Sequence, residues 1–308
     1  MKDLKVIFMG TPIFSVSILE NLIKNTNVVL VVTQKDAPVG RKKILTPCEV
    51  KKCALEHNIN VFSPANIKED YQIIKDLNPD VIITCAYGQI IPKAVLDIPK
   101  YKCINIHASL LPKYRGGAPI HRAIMDGETE TGITLMYMDE KMDSGDALVQ
   151  EKVEITKNDN IETLSLKLSN LGANMIIKYL EGIITGKIKG EKQDESKVTF
   201  AKIIKRADEQ LNFLESATVN FNRFRALSPS PLPYFILDEK EYKVAECEVT
   251  SETGTPNTII KEEKDSITIA CQENSLKITK IKPVGKNIMT IKEFKNGYKE
   301  KLLGKKVN

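Results

Sequence analysis

Apolar positions along the chain follow one rhythm as far as residue 185 and another after about residue 234. In the first part, short solid apolar runs alternate with stretches of helical period. Leu4–Met9, Val28–Thr33, Val61–Phe62 and Asp80–Cys85 read as buried strands by their length and flanks. Cys103 onward, Gly132–Met138 and Ala147–Ile155 read as further strands. Between them the spacing predicts helices from Thr11 to about Lys24, Val50–His57, Ile67–Leu77, Pro119–Met125 and Ile161–Ile184. The last is amphipathic, with Leu164, Leu168, Leu171, Met175 and Ile176 on its apolar side. Strand–helix alternation of this kind predicts an α/β architecture: a mostly parallel sheet with helices on both faces.

The pattern then changes. Gly186–Thr199 is polar and lacks apolar period, which places a linker at 188–202 between a domain of residues 1–187 and one of residues 203–308. Ile203–Arg225 reads as helix, and the prolines of Leu227–Pro233 forbid regular structure there. Short runs at Phe235–Leu237, Tyr242–Val249, Thr258–Ile259, Ile267–Ala270 and Leu276–Lys282 predict a small antiparallel barrel.

One stretch breaks the rhythm in a chemically useful way: Cys103–Ile120, CINIHASLLPKYRGGAPI. Ile104, Ile106 and Ala108 alternate with Asn105 and His107, so one strand face carries an amide and an imidazole about 6–7 Å apart. The chain then turns at Leu110–Pro112 and passes Arg115, Gly116 and Gly117 into a helix with Pro119 in its first turn. Polar residues at a strand end followed by a glycine-containing turn are typical of sites in open α/β sheets. A lone strand histidine is more often structural than catalytic. The acidic run Met142–Asp146, MDSGD, alters that balance by offering a carboxylate to orient His107.

Composition narrows the alternatives. In 308 residues there are six cysteines with no CxxC pair and three histidines, which argues for reduced thiols in the cytoplasm and against a metal centre. Cys48 and Cys53 read as structural. Apolar content is 42%, and no apolar run is long enough to span a membrane. The first strand begins too near Met1 to leave room for a targeting peptide. Gly10 after the first strand invites a dinucleotide reading, but Pro12 stands where the second glycine of that fingerprint would fall, so the fingerprint fails. The net charge of +5 is modest, and its distribution says more. Residues 35–52 hold Lys35, Arg41, Lys42, Lys43, Lys51 and Lys52 against Asp36 and Glu49, in a connection too long for an ordinary βα loop. Residues 277–308 hold ten lysines against Glu293 and Glu300, a surface suited to tracking phosphates. A solvated charged loop is the plain alternative for the first of these.

The run NIHASLLPKYRGGAPI from Asn105, with Gly132-Ile133-Thr134 and Met142–Asp146, resembles the 10-formyltetrahydrofolate-dependent formyltransferase family. The opening Met9-Gly10-Thr11-Pro12-Ile13-Phe14 is similar to the branch that acts on methionyl-tRNA, and the likeness runs from Lys5 to about Gly304. It implies a Rossmann-like catalytic domain followed by a smaller C-terminal OB-like β-barrel that binds tRNA. The reaction implied moves a formyl group from 10-formyltetrahydrofolate, a co-substrate, to the α-amino group of initiator methionyl-tRNA, without a metal. The family pattern falls on Asn105, His107 and Asp143 as the catalytic set. It falls on Ser109, Leu110, Leu111 and Pro112 as folate contacts, with Tyr87, Gly88, Gln89, Ile90 and Ile91 lining the pterin pocket. Arg41, with Lys42 and Lys43 beside it, matches a family arginine that enters the acceptor stem. Arg115 either grips the folate tail or braces its own loop. The resemblance further implies a cytoplasmic monomer with no membrane partner.

Two departures from the family pattern stand out. The tryptophans frequent near the start of the second domain are absent, with Phe213 and Tyr234 in their neighbourhood, and Thr46-Pro47-Cys48-Glu49 replaces a Pro-Ser-Pro-like run. Two other readings compete for the acceptor: an N-formyltransferase acting on a sugar-nucleotide amine, and a folate- or RNA-binding protein in which the polar triplet is unused.

Overall fold

The structure is a computed structural model and describes every residue except Arg41 and Lys299. It packs as two units, one of Met1–Pro119, Glu130–Glu154 and Ser165–Ala201, the other of Ile120–Thr129, Ile155–Leu164 and Lys202–Asn308. In chain order the first part of the sequence forms β1 (Lys5–Gly10), α1 (Val16–Asn25), β2 (Asn27–Val32), β3 (Ala37–Val39), β4 (Ile44–Thr46) and α2 (Glu49–Glu56). There follow β5 (Val61–Phe62), α3 (Gln72–Leu77), β6 (Val81–Cys85), α4 (Lys93–Leu96), β7 (Cys103–His107) and α5 (Pro119–Met125). Then come β8 (Glu130–Tyr137), β9 (Ala147–Glu154) and α6 (Ile161–Ile184).

Seven strands form the main sheet of the first unit in the order β5-β2-β1-β6-β7-β8-β9. Pairing is parallel from β5 through β7 and antiparallel from β7 to β9. Val6–Met9 and Val81–Ile83 are fully buried, as the solid apolar runs require of central strands covered on both faces. Each such side chain contributes about 1.5–3 kcal/mol to burial. On one face Gly172 of α6 lies against Ile106, Ile18 and Ile133. On the other, Ile7, Met9, Ile82 and Cys103 form a core with Ile74 of α3 and Val95 of α4. Asn105 and His107 share the Cys103 face by strand alternation.

Three of the expected helices are shorter than the periodicity predicts, and the one expected from Thr11 becomes α-helical only at Val16, after a 3₁₀ turn at Ile13–Ser15. The helix expected from Ile67 begins at Gln72, because Ile67 N–H donates to Gln89 Oε1 (2.9 Å) and residues 66–70 turn on Asn66. The helix expected over 203–225 is a short 3₁₀ turn at Arg206–Glu209 followed by α7 (Ala217–Leu227). Between them Leu211 N–H is bonded to Tyr234 O, Asn212 N–H to Asn220 Oδ1, and α7 starts where Ser216 Oγ caps Val219 N–H. The stretch 188–202, expected to be a linker, belongs to the first unit as far as Ala201. It lies there as an extended strap: Glu191 exchanges backbone bonds with Ala147, and Thr199 and Ala201 bond with Pro112, Arg115 and Ala118.

The second unit holds α7, β10 (Tyr234–Leu237), β11 (Lys240–Thr250), β12 (Ile259–Glu262), β13 (Ile267–Ala270), β14 (Ser275–Pro283), β15 (Met289–Thr290) and α8 (Ile291–Gly297). Its antiparallel sheet runs β10-β11-β14-β13-β12, with β15 on β14, and irregular pairing between Val244 and Cys247 bends β11. Residues 304–308 bond to Ile236 of β10 on one side and to Asn257 and Ile259 on the other, joining the edges of the curled sheet. Phe213, Phe235, Val244, Ile269, Ile278 and Val307 fill it. No helix among the described residues is long and apolar enough to cross a membrane.

Candidate active site

The polar residues singled out on β7 lie where that strand and its parallel neighbour β6 end. Thr84 and Asn105 are register partners across β6 and β7, and Thr84 Oγ1 donates to Asn105 Oδ1 at 2.8 Å. A carboxamide whose oxygen is occupied in this way has its N–H₂ committed as the outward donor. No side chain among the described residues takes those hydrogens.

His107 is nearly buried, and its Nε2 lies 3.0 Å from Tyr114 O. A carbonyl only accepts, so Nε2 carries a hydrogen and Nδ1 is the ring atom left to the rest of the site. Nδ1 faces Asp143 Oδ1 at 3.6 Å, with side-chain exposures of 7% and 16%. Asp143 Oδ2 accepts the Gly116 N–H at 2.8 Å. The three residues expected to form the catalytic set are thus assembled in one unit: Asn105 and His107 two apart on β7, and Asp143 meeting His107 from the loop between β8 and β9. The loop can fold this tightly because Gly145 has no Cβ to collide with Tyr137 O. Gly116 has φ +123°, and a Cβ there would stand 2.8 Å from Ala201 O.

The turn Ser109–Pro112 is shaped from within. Thr134 Oγ1 donates to Ser109 O (2.6 Å) and accepts from Leu111 N–H (3.1 Å), while Gln150 Nε2 donates to Leu111 O (2.7 Å) and to Thr134 Oγ1 (2.9 Å). Ser109 Oγ donates to Lys113 O at 2.6 Å, so its hydroxyl is spent inside the turn. Leu111 is buried and Leu110 half-buried.

The loop after β6 is held at its start. Tyr87 O accepts from Thr11 Oγ1 (2.9 Å) and Gln34 Nε2 (3.1 Å), and Gly88 takes φ +93°. Gln89 reaches Ile67 N–H and Pro64 O, so its amide ties the loop down. Tyr87 and Ile91 are buried, whereas Ile90 is 62% exposed. The Tyr87 hydroxyl is buried without a hydrogen-bond partner, and burial pushes its pKa up to about 12.

Arg115 turns out to brace its loop. It is buried, and Nε and Nη2 both donate to Gln193 Oε1 (3.0 and 2.9 Å) while Nη2 pairs with Glu195 (2.8 Å). Four partners of the site were missed in the sequence: Thr84, Thr134, Gln150 and Gln193. Thr84 is the only polar residue of VIITC and Thr134 falls within the quoted Gly-Ile-Thr, so those two carried a signal.

Arg41 lies outside the described residues. Lys42 and Lys43 are exposed between β3 and β4, which pair as an antiparallel hairpin bearing exposed Val39, Ile44 and Leu45. Among the described residues no cluster of three or more His, Cys, Asp or Glu suits a metal.

A model described as formyl transferase matches residues 4–180, and one described as formyl transferase, C-terminal domain, matches residues 203–299. A methionyl-tRNA formyltransferase of Listeria innocua is 47% identical over 298 residues, 95% of each chain. One from Staphylococcus epidermidis is 44% identical over 305 residues, 98% of each. An N-formyltransferase structure from Helicobacter canadensis, in complex with folinic acid and dTDP-3-aminofucose, superposes with a TM-score of 0.67 at 21% identity. It covers 91% of this chain and 100% of its own, a likeness of fold.

Proposed function

This chain belongs to the formyl transferase family, and on that premise we propose that it moves the formyl group of 10-formyltetrahydrofolate to the α-amino group of initiator methionyl-tRNA. The observation that carries this reading is the end-to-end identity with methionyl-tRNA formyltransferases, through both the catalytic and the C-terminal regions. The sugar-amine alternative rests on a fold likeness at about half that identity.

10-Formyltetrahydrofolate, when bound, supplies a formyl carbon already activated on nitrogen. The protein has to hold it, stabilise charge and move a proton. The Asn105 N–H₂ donates to the formyl oxygen as negative charge develops there, and its orientation is fixed beforehand by Thr84. His107 takes the proton of the attacking amine at Nδ1, the ring atom not bonded to Tyr114. It returns that proton to the folate nitrogen as the carbon–nitrogen bond to the formyl group breaks, so that tetrahydrofolate leaves and the ring is restored. Asp143 opposes the resulting imidazolium and keeps the ring aligned. Ser109–Pro112 and Tyr87–Ile91 hold the co-substrate, chiefly through backbone and apolar groups, because the Ser109 and Gln89 side chains are spent internally.

On this reading residues 1–187 are catalytic and 203–308 bind tRNA. Arg41, Lys42 and Lys43 contact the acceptor stem, and the C-terminal lysines track phosphates. The enzyme works as a cytoplasmic monomer; its six free cysteines support a reducing compartment. The test is an acid-gel shift of charged initiator tRNA incubated with the protein and 10-formyltetrahydrofolate. Formylation of a sugar-nucleotide amine, with charged tRNA left unmodified, would replace this reading with the alternative.

A further inference from the structure

The carboxamide of Gln193, in the strap that the sequence marks only as polar, uses all of its hydrogen-bonding capacity inside the site. Its Oε1 accepts Nε and Nη2 of Arg115 at 3.0 and 2.9 Å. Its Nε2 donates to Asp143 O and Gly145 O, both at 2.8 Å. Arg115 is followed in the chain by Gly116, whose N–H holds Asp143 Oδ2. A closed ring of contacts therefore runs Asp143, Gln193, Arg115, Gly116 and back to Asp143, gripping the aspartate by its carbonyl and by its carboxylate.

Asp143 needs such a grip. It sits at φ +49°, a conformation that a non-glycine residue leaves unless its surroundings hold it. The residues just before it, Glu140 to Met142, are exposed. Fully satisfied amide networks are rigid, and removing one donor leaves two carbonyls short. We propose that Gln193 is a positioning residue for formyl transfer: backed by Arg115, it fixes the Asp143 backbone so that the carboxylate faces Nδ1 of His107. This inference rests on the reading of Asp143 as the partner of His107 in catalysis.

The test compares Gln193→Glu and Gln193→Met, each alone and combined with Asp143→Asn, using charged initiator tRNA and 10-formyltetrahydrofolate. Gln193→Glu keeps an acceptor oxygen for Arg115 but replaces the donor with an oxygen that faces the Asp143 and Gly145 carbonyls. It therefore breaks the grip on the loop while Arg115 stays paired, and kcat is read well below the variant's own thermal midpoint. Its kcat should fall about 10- to 100-fold with KM for tRNA changed less than about twofold, the size expected when a reacting group shifts by about an ångström. Gln193→Met should lose at least as much. The combination with Asp143→Asn should be no slower than Asp143→Asn alone, because a residue that acts through Asp143 has nothing left to position. A parent-like kcat for Gln193→Glu, or rate losses that multiply in the double variant, would overturn the proposal. A parent-like kcat for Asp143→Asn would instead remove the catalytic reading itself, so the two failures are distinguishable.

Discussion

The hydroxyl of Thr84 lies 2.8 Å from Oδ1 of Asn105, across two parallel strands that end at the same rim. That bond decides which end of the carboxamide faces a reacting carbonyl. Thr84→Val removes it and releases the amide to rotate, so kcat should drop about tenfold while the strand stays buried. Asn105→Ala, which deletes the donor itself, should cost about 100-fold or more, equivalent to roughly 3–4 kcal/mol. Single-turnover rates for both variants check the order. Equal rates for Thr84→Val and parent would mean that the amide needs no outside help.

The His107–Asp143 pair makes a separate prediction. Asp143→Asn keeps the shape of the loop and removes the charge that opposes an imidazolium, so kcat should fall by up to about four orders of magnitude, as for the buried carboxylate–histidine pair of serine proteases. Folate affinity should change little, measured by quenching of intrinsic fluorescence. A loss confined to folate binding would assign Asp143 to the pocket wall.

The placement of the central polar residues was legible because it is encoded in local alternation. Asn105 and His107 had to share a strand face whatever the tertiary structure, and Asp143 lies in a short acidic loop between two readable strands. The seven-stranded sheet followed from apolar runs that have no other stable use. The strap at 188–201 was not legible. It makes its bonds through backbone and one carboxamide rather than through an apolar stripe, so no period marks it, and Gln193 reads like any solvated glutamine. The helix expected over 203–225 failed for a related reason: Asn212 and Ser216 offer their side chains to the backbone and break the helix where apolar spacing continues.

His121 predicts an acid-side loss of stability. Burial, and next the positive charge of Arg122, hold its imidazole pKa below the ordinary 6.5 in the folded protein. The unfolded chain therefore binds a proton that the folded one refuses, and stability contributed by the neutral ring declines as pH falls from about 6.5. Urea midpoints measured at pH 7.5 and 5.5 should fall more for the parent than for His121→Gln. Identical slopes in the two proteins would show that other groups govern this range.

The basic connection between β2 and α2 has its clearest test in salt. Lys42 and Lys43 are exposed, and neither makes a salt bridge within the described residues, so their charge is available to a partner. Lys51, in the same stretch, is instead tied to Asp36 at 2.8 Å. Each lysine or arginine that neutralises a phosphate steepens the dependence of log affinity on log salt by about 0.7–0.9. Replacing Arg41, Lys42 and Lys43 by alanine should therefore raise KM for charged tRNA, flatten its salt dependence by about two units and leave the KM for 10-formyltetrahydrofolate unchanged. Lys51→Ala should have a smaller effect on that slope, because its charge is already partnered. A triple variant with the parent's salt slope would move the acceptor contact away from this hairpin and onto the C-terminal lysines.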